Sequence, residues 1–496
     1  MLSRHALGTR RHVTSGAGRI RALASAAAAS ASVDPAPPPP RTGASPRTAG
    51  LTNELSSLKS SLFHLLGSSH PSLDAVAKYY FQAEGKNLRP MLVLLMAQAT
   101  NGLGGSGWQR MREKEAEDVR MGRGVDASLT SVEGVLNDWN PEQMGMEGER
   151  DLVFAEPYLV GSSYAARTPS IPTPTPQQPT PPTTTTSSTP PILSTQRRLA
   201  SITEMIHVAS LLHDDVIDSS PLRRGSPSAP QQFSNKLSIL AGDFLLGRAS
   251  VALARLGSRE VVELLATVIA NLVEGEVMQM RSSPAAAAAA VNNNTNTSTE
   301  AGPSAEAFEI YMRKTYLKTA SLMAKSARAS VILGGCGAPD GVDPLNPGTG
   351  SGWIAGLTDK ELGKGEVVKD IAYAYGRNLG IAFQLIDDLL DFLPPSPTLG
   401  KPGLGADLSL GLTTAPVLYA WRTNPSLGPL IARKYAQEGD VQMVRELVGR
   451  SDGLEKTREL AVRFAGEARR AVERLPESEA REELVGLTEK VVQRVA

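Results

Sequence analysis

Two runs of acids carry the clearest chemistry in this chain of 496 residues: His213-Asp214-Asp215-Val216-Ile217-Asp218 and Gln384-Leu385-Ile386-Asp387-Asp388-Leu389-Leu390-Asp391. On a helix, Asp214 and Asp218 share one face, as do Asp387 and Asp391, with Asp388 beside them. Carboxylates that converge in this way suit a hard divalent cation, which prefers oxygen ligands. Each run closes an apolar helix, and the alternative for each alone is a solvated acidic helix end. Two such clusters facing each other across a bundle would make a polynuclear Mg²⁺ site. That site suits a diphosphate leaving group, whose developing charge the metals neutralise.

Basic residues stand where a diphosphate substrate needs them. Arg223 and Arg224 follow the first cluster, and Gly85-Lys86-Asn87-Leu88-Arg89-Pro90 offers Lys86 and Arg89 at a helix start. Arg supplies forked hydrogen bonds to phosphate and Lys a compact charge. In Lys314-Thr315-Tyr316-Leu317-Lys318-Thr319, Lys318 and Thr319 sit on a helix that could face the same cavity. His207 is a single histidine in a core-like helix, and by itself reads as structural. The totals of 51 basic and 51 acidic residues give no electrostatic case for nucleic acid as a target.

The elements that must position these groups are helices. Apolar residues recur at three- and four-residue spacing around 88–101, 195–218, 235–256, 259–281, 307–334, 365–393 and 412–435, with no β-rich block. Gly257 and the Gly334–Gly335 pair read as helix stops. The expected fold class is all-α, with one domain over 51–496. Residues 102–194, 284–305 and 339–363 break the pattern and are expected to be disordered insertions, the first ending in a Ser/Thr/Pro tract. No stretch is expected to have the length and apolarity of a membrane span. The single cysteine, Cys336, allows no intramolecular disulfide and reads as a buried small hydrophobe. Residues 1–50 read as a mitochondrial presequence with a Pro-rich spacer, being rich in Arg and free of acids before Asp34.

Taken together these blocks resemble the trans-polyprenyl diphosphate synthases. Leu212 to Asp218 with Arg223-Arg224-Gly225 is similar to the family's first aspartate-rich motif, and Phe383 to Phe392 to its second. Gly85 to Pro90, Gly242-Asp243-Phe244-Leu245-Leu246, Lys318-Thr319-Ala320 and Gly400-Lys401-Pro402 through Thr414-Ala415-Pro416 match further blocks in the same order. The resemblance covers roughly 51–101, 195–283 and 306–496, apart from the third insertion. Asn87 departs from the basic residue or serine common at that place.

The resemblance implies an isoprenoid-synthase-type helical bundle around a central cavity. Asp214, Asp218, Asp387, Asp388 and Asp391 would bind Mg²⁺, with Mn²⁺ as a substitute. Arg223, Lys318, Gln384 and Lys401 would contact the allylic diphosphate (farnesyl or geranylgeranyl diphosphate) or the forming cation, with Thr319 turning its hydroxyl dipole toward that cation. Lys86, Arg89, His207 and Arg224 would hold isopentenyl diphosphate. Bulky residues one turn before the first motif close the product tunnel in short-chain members. Ala209 and Ser210 stand there, which implies a long product and, with the leader, the ubiquinone side chain. The family further implies a homodimer or a heteromer with a related chain, and an apolar product could hold the protein in peripheral association with a membrane. A short-chain synthase and a non-catalytic subunit of a heteromer are the alternatives. A terpene cyclase of the same helical type is disfavoured by the full second aspartate cluster.

Overall fold

The computed structural model describes residues 70–82, 87–121, 191–223, 225–281, 302–337, 359–393 and 405–494, with a few further positions. The expected presequence (1–50), most of the three insertions, and Lys86, Arg224 and Lys401 lie outside the described residues. All of the described elements belong to one compact unit, Gly50–Ala496.

The helices in chain order are α1 (Pro71–Gln82), α2 (Leu88–Thr100), α3 (Ser106–Arg120) and α4 (Ser194–Ile217). A two-residue hairpin, β1 (Leu222–Arg223) with β2 (Ser226–Pro227), precedes α5 (Ala229–Gln232), α6 (Asn235–Arg255) and α7 (Arg259–Arg281). Then come α8 (Ala305–Thr315), a π-helical turn at Tyr316–Ala320, α9 (Ser321–Leu333) and the long α10 (Asp359–Leu390). The C-terminal helices are α11 (Ala406–Ser409), α12 (Ala415–Trp421), α13 (Leu427–Ala432), α14 (Asp440–Gly449), α15 (Gly453–Val472) and α16 (Glu479–Gln493).

Two apolar clusters organise the bundle. One, containing Leu199, Ile202, Met205, Ile206 and Leu212 of α4, packs against α1, α2 and α6. The other joins α10, through Tyr375, Leu379, Leu385 and Ile386, to α9, α15 and α16. Burying each such side chain contributes about 1.5–3 kcal/mol, so these faces fix where the ends of α4 and α10 lie. Helix α10 approaches α9 and the π-helical turn closely because Gly376 and Gly380 lack side chains: a Cβ at Gly376 would stand 2.5 Å from the Met323 carbonyl oxygen, and one at Gly380 2.6 Å from the Ala320 Cα. Gly257 (φ 67°) and Gly335 (φ 81°) follow the ends of α6 and α9 in left-handed conformations, as their positions as stops require.

Four expectations are corrected. Residues 106–120, placed in a disordered insertion, form helix α3, because Trp108 is buried and Gly107 docks directly on Gly335. Its Glu115 accepts a 2.5 Å hydrogen bond from the Ser194 N–H at the start of α4. Helix α10 begins at Asp359, inside the third expected insertion. The segment 412–435 is two short helices, since Asn424-Pro425 breaks it between α12 and α13. Helix α6, with a mean hydropathy of 1.5 over 18 residues, is long and apolar enough to cross a membrane by composition. Within the bundle its Ala241, Leu245, Ala249 and Ala252 are buried, in the same apolar cluster as α4. Cys336 is buried as expected.

Candidate active site

Asp214 and Asp215 lie in the last turn of α4 and Asp218 caps it, its N–H donating to the Asp214 carbonyl at 2.8 Å. Asp387 and Asp388 occupy the last turn of α10. Neither helix has a basic residue in its last turn. Both clusters therefore stand at the negative pole of a helix dipole, which disfavours carboxylates and favours cations.

Beyond Asp218 the chain turns sharply, with Ser219 at φ 50° and Gly225 at φ 79°. This turn brings Arg223 back onto Asp215: Nε donates to Oδ2 at 2.7 Å and Nη2 to Oδ1 at 2.6 Å. The Tyr80 hydroxyl donates to the same carboxylate and accepts the Ala229 N–H at 2.8 Å. Asp215 is thus a buried anchor for Arg223, while Asp214 and Asp218 feel the same guanidinium only through its charge. His213 lies over Gly242 of α6, where an added Cβ would stand 2.2 Å from Nε2. That contact accounts for the glycine of the Gly242-Asp243 block.

The π-helical turn carries Lys318 and Thr319. Such turns shift the register of a helix and aim neighbouring side chains in directions an α-helix would not. Lys318 pairs with Glu276 of α7, on the side of the first cluster. Thr319 Oγ1 donates to Gln384 Oε1 at 2.7 Å, and Gln384 Nε2 donates to Asp388 Oδ1 at 2.9 Å. Tyr311 of α8 donates its hydroxyl to Asp388 Oδ2 at 2.5 Å. One turn of backbone therefore bonds to the second cluster through Thr319 and places on Lys318 a charge that acts on the first.

The carboxylates differ in their commitments. Asp388 is held by Tyr311 and Gln384, and Asp391 accepts the Ala406 and Asp407 N–H groups at 3.0 and 3.2 Å, at the start of α11. Asp387 lies 3.5 Å from Arg494, whose guanidinium stacks on Phe383 at 4.8 Å from the ring centre. Burial pushes the Asp214 carboxyl up to about 6, opposed by Lys318 and reinforced by Glu276 and Asp218. Burial raises the Asp218 carboxyl too, and raises that of Asp388. Among the described residues no three acids or histidines are gathered closely enough to form a metal site by themselves. The partly desolvated acids at the two helix ends offer oxygen donors, the type that a hard divalent cation takes when a diphosphate supplies further oxygens.

Arg89 and His207, 118 positions apart, meet at 2.9 Å between Nη1 and Nε2. A cavity of about 240 Å³ beside them is lined by Tyr80, His207, Leu211 and Arg223 among others. Of the residues singled out from sequence, the structure thus joins Arg89 to His207, and Thr319 to Gln384 and Asp388. It turns Arg223 onto Asp215. Glu276, Tyr311 and Tyr80 escaped sequence reasoning.

Residues 183–346 and 358–449 match the Polyprenyl synthetase family. The chain is 44% identical to a probable hexaprenyl pyrophosphate synthase, mitochondrial, of Neurospora crassa, over 90% of this chain and 80% of that protein. It is 37% identical to the mitochondrial hexaprenyl pyrophosphate synthase of Saccharomyces cerevisiae, over 90% of this chain and 89% of that one. Among solved structures, a Caulobacter crescentus polyprenyl synthase complexed with calcium and isoprenyl diphosphate shares the fold. Its TM-score is 0.58 at 24% identity, covering 92% of this chain and all (100%) of that one. Two acidic helix ends near one π-helical turn, in a chain so closely matched along its length, belong to a member of the polyprenyl synthetase family.

Proposed function

We propose that this protein is a metal-dependent trans-polyprenyl diphosphate synthase that adds isopentenyl diphosphate to an allylic diphosphate, making the long side chain of ubiquinone in mitochondria. The observation that carries this reading is the pair of acidic helix ends served by Lys318 and Thr319 from one turn. The Neurospora and yeast relatives, both mitochondrial hexaprenyl synthases by name, support the long product and the compartment.

Asp214, Asp218 and Asp387 would hold the Mg²⁺ ions, with Mn²⁺ as a substitute, while Asp388 and Asp391 brace that set through Tyr311, Gln384 and the start of α11. When bound, the metal neutralises the charge that develops on the departing diphosphate. Lys318 would donate to that diphosphate. Arg223, fixed by Asp215, would present a preoriented guanidinium to the same group. The C1–O bond of the allylic substrate breaks with both electrons leaving on oxygen. The double bond of isopentenyl diphosphate then attacks C1, and a proton is lost to the diphosphate. Thr319 and Gln384, locked to one another, would set fixed dipoles beside the transient cation. Arg89 and His207, with Lys86 and Arg224, would hold isopentenyl diphosphate, and Lys401 would reach the allylic diphosphate.

Ala209 is buried and Ser210 half-buried, donating its hydroxyl to the His207 carbonyl at 2.8 Å; neither bulk closes this part of α4. Exposed Ile239 and Leu240 on α6 and Val273 on α7 support assembly with a second copy or a related chain.

The test is incubation of the protein with Mg²⁺, labelled isopentenyl diphosphate and farnesyl diphosphate, with sizing of the dephosphorylated products. A ladder reaching beyond twenty carbons is expected, and Ala209→Phe should shorten it. Absence of elongation would overturn the enzymatic reading, and arrest at twenty carbons the long-chain one.

A further inference from the structure

Glu276 is an acid that the proposed chemistry does not use. It lies in α7, only 7% exposed, and its carboxylate is paired with the ammonium of Lys318. Gln279, one turn on, places Nε2 3.5 Å from its other oxygen. The approach depends on the preceding residue. A Cβ at Gly275 would stand 2.7 Å from Lys318 Cγ and 3.3 Å from the Lys318 N. Helix α7 is thus pressed onto the π-helical turn at the point where Lys318 leaves it.

Lys318 is in contact with Glu276 and stands near enough to Asp214 and Asp218 for its charge to act on both. Its charge lowers the carboxyl pKa of both Asp214 and Asp218 against the larger effect of burial, while Glu276 raises them. An ammonium left to itself in such a site would settle on the aspartates and compete with a divalent cation for their oxygens. Glu276 offers it a nearer partner on another helix.

We propose that Glu276 is a positioning residue that draws the Lys318 ammonium off Asp214 and Asp218, leaving those carboxylates to the cation and fixing the direction in which Lys318 donates. This rests on the reading of the site as a metal-and-diphosphate centre. Glu276 touches neither substrate nor metal in this role. It acts through Lys318, so its effect must vanish when Lys318 is absent. A second acid that merely added to the field of the site would keep its effect without Lys318.

The test is a double-mutant cycle of Glu276→Gln and Lys318→Ala, read by two measurements. The first is Mn²⁺ binding to the full chain without substrate, monitored by electron paramagnetic resonance. Glu276→Gln should weaken Mn²⁺ binding about tenfold, and adding Lys318→Ala should restore it, since a released Lys318 is then gone. The second is elongation with farnesyl and isopentenyl diphosphates. Glu276→Gln should lower kcat about 10- to 100-fold with little change in KM for isopentenyl diphosphate, and add nothing in the Lys318→Ala background. Thermal melting checks the fold, and Glu276→Asp, which keeps the charge, should recover most of the Mn²⁺ affinity. Additive effects on Mn²⁺ binding, or wild-type Mn²⁺ affinity in Glu276→Gln, would overturn the proposal. Failure of the wild-type chain to elongate would overturn the synthase reading instead, and leaves the Mn²⁺ cycle to decide the role of Glu276.

Discussion

The Arg223 guanidinium forks onto the Asp215 carboxylate with hydrogen bonds of 2.7 and 2.6 Å, and Asp215 is wholly buried. The middle acid of the first cluster therefore orients a cation instead of facing the cavity. Removing one partner of such a pair strands the other charge in a poorly solvated place. Arg223→Ala should destabilise the protein by about 3–5 kcal/mol in urea unfolding, and raise KM for the allylic diphosphate. Arg223→Lys keeps the charge but loses the fork, so it should recover stability only in part. Unfolding of Arg223→Ala at the wild-type urea concentration would show that Asp215 is solvated or otherwise balanced.

Asp214 makes stability depend on pH and on metal. Its carboxyl rises from the ordinary 3.8 to about 6, chiefly by burial. Between those values the folded chain binds more protons than the unfolded chain, so stability falls as pH rises through this window and levels off above it. In chelator at neutral pH the ionised group costs up to about 3 kcal/mol. Asp214→Asn should then melt higher than wild type near neutrality, and the difference should shrink toward pH 4. Divalent cation should reverse the order by binding only the wild-type carboxylate. Melts across pH with chelator and with Mg²⁺ measure both effects.

The acidic helix ends were legible in the sequence because each combines spacing, apolar run and terminus within one short stretch. The helices α2, α4, α6, α7 and α10 came from the same local periodicity. What escaped was non-local. Glu276 is one of four glutamates in an amphipathic helix, and its meaning comes from Lys318, which lies beyond the second expected insertion. Tyr311 and Asp388 are 77 positions apart, and nothing near either marks the pair. The charged α3 read as an insertion because its order depends on Trp108 and on a glycine–glycine contact with Gly335. Asp391 shared a face with Asp387 in the helical pattern, yet α10 ends at Leu390 and its carboxylate turns to the N–H groups of α11.

Tyr311 supplies one of the hydrogen bonds that hold the buried Asp388. Tyr311→Phe keeps the ring and its packing but leaves a desolvated carboxylate oxygen with one partner fewer. A loss of about 1–3 kcal/mol in stability is expected. Activity should fall less than in Asp388→Ala, because Gln384 still holds the other oxygen. Denaturant unfolding and steady-state elongation of the two variants measure the contrast, and a Tyr311→Phe protein as stable as wild type would refute the bracing role of this hydroxyl.

Gly275 separates packing from catalysis most sharply. Its missing side chain lets α7 press against the π-helical turn, where a Cβ would meet Lys318 Cγ at 2.7 Å and Leu317 Cβ at 3.2 Å. Gly275→Ala must push Lys318 or the turn aside. Overpacking costs about 1–3 kcal/mol, while the better helix former returns up to about 1 kcal/mol, so stability should drop only modestly. A displaced ammonium is another matter, since misplacement by about 1 Å can cost about a hundredfold in rate. Gly247→Ala on α6 is the matched control, because its Cβ would meet nothing within 4 Å. It should raise stability slightly and leave elongation unchanged. If Gly275→Ala loses stability and activity in proportion, or keeps full activity, the close approach of α7 does not aim Lys318.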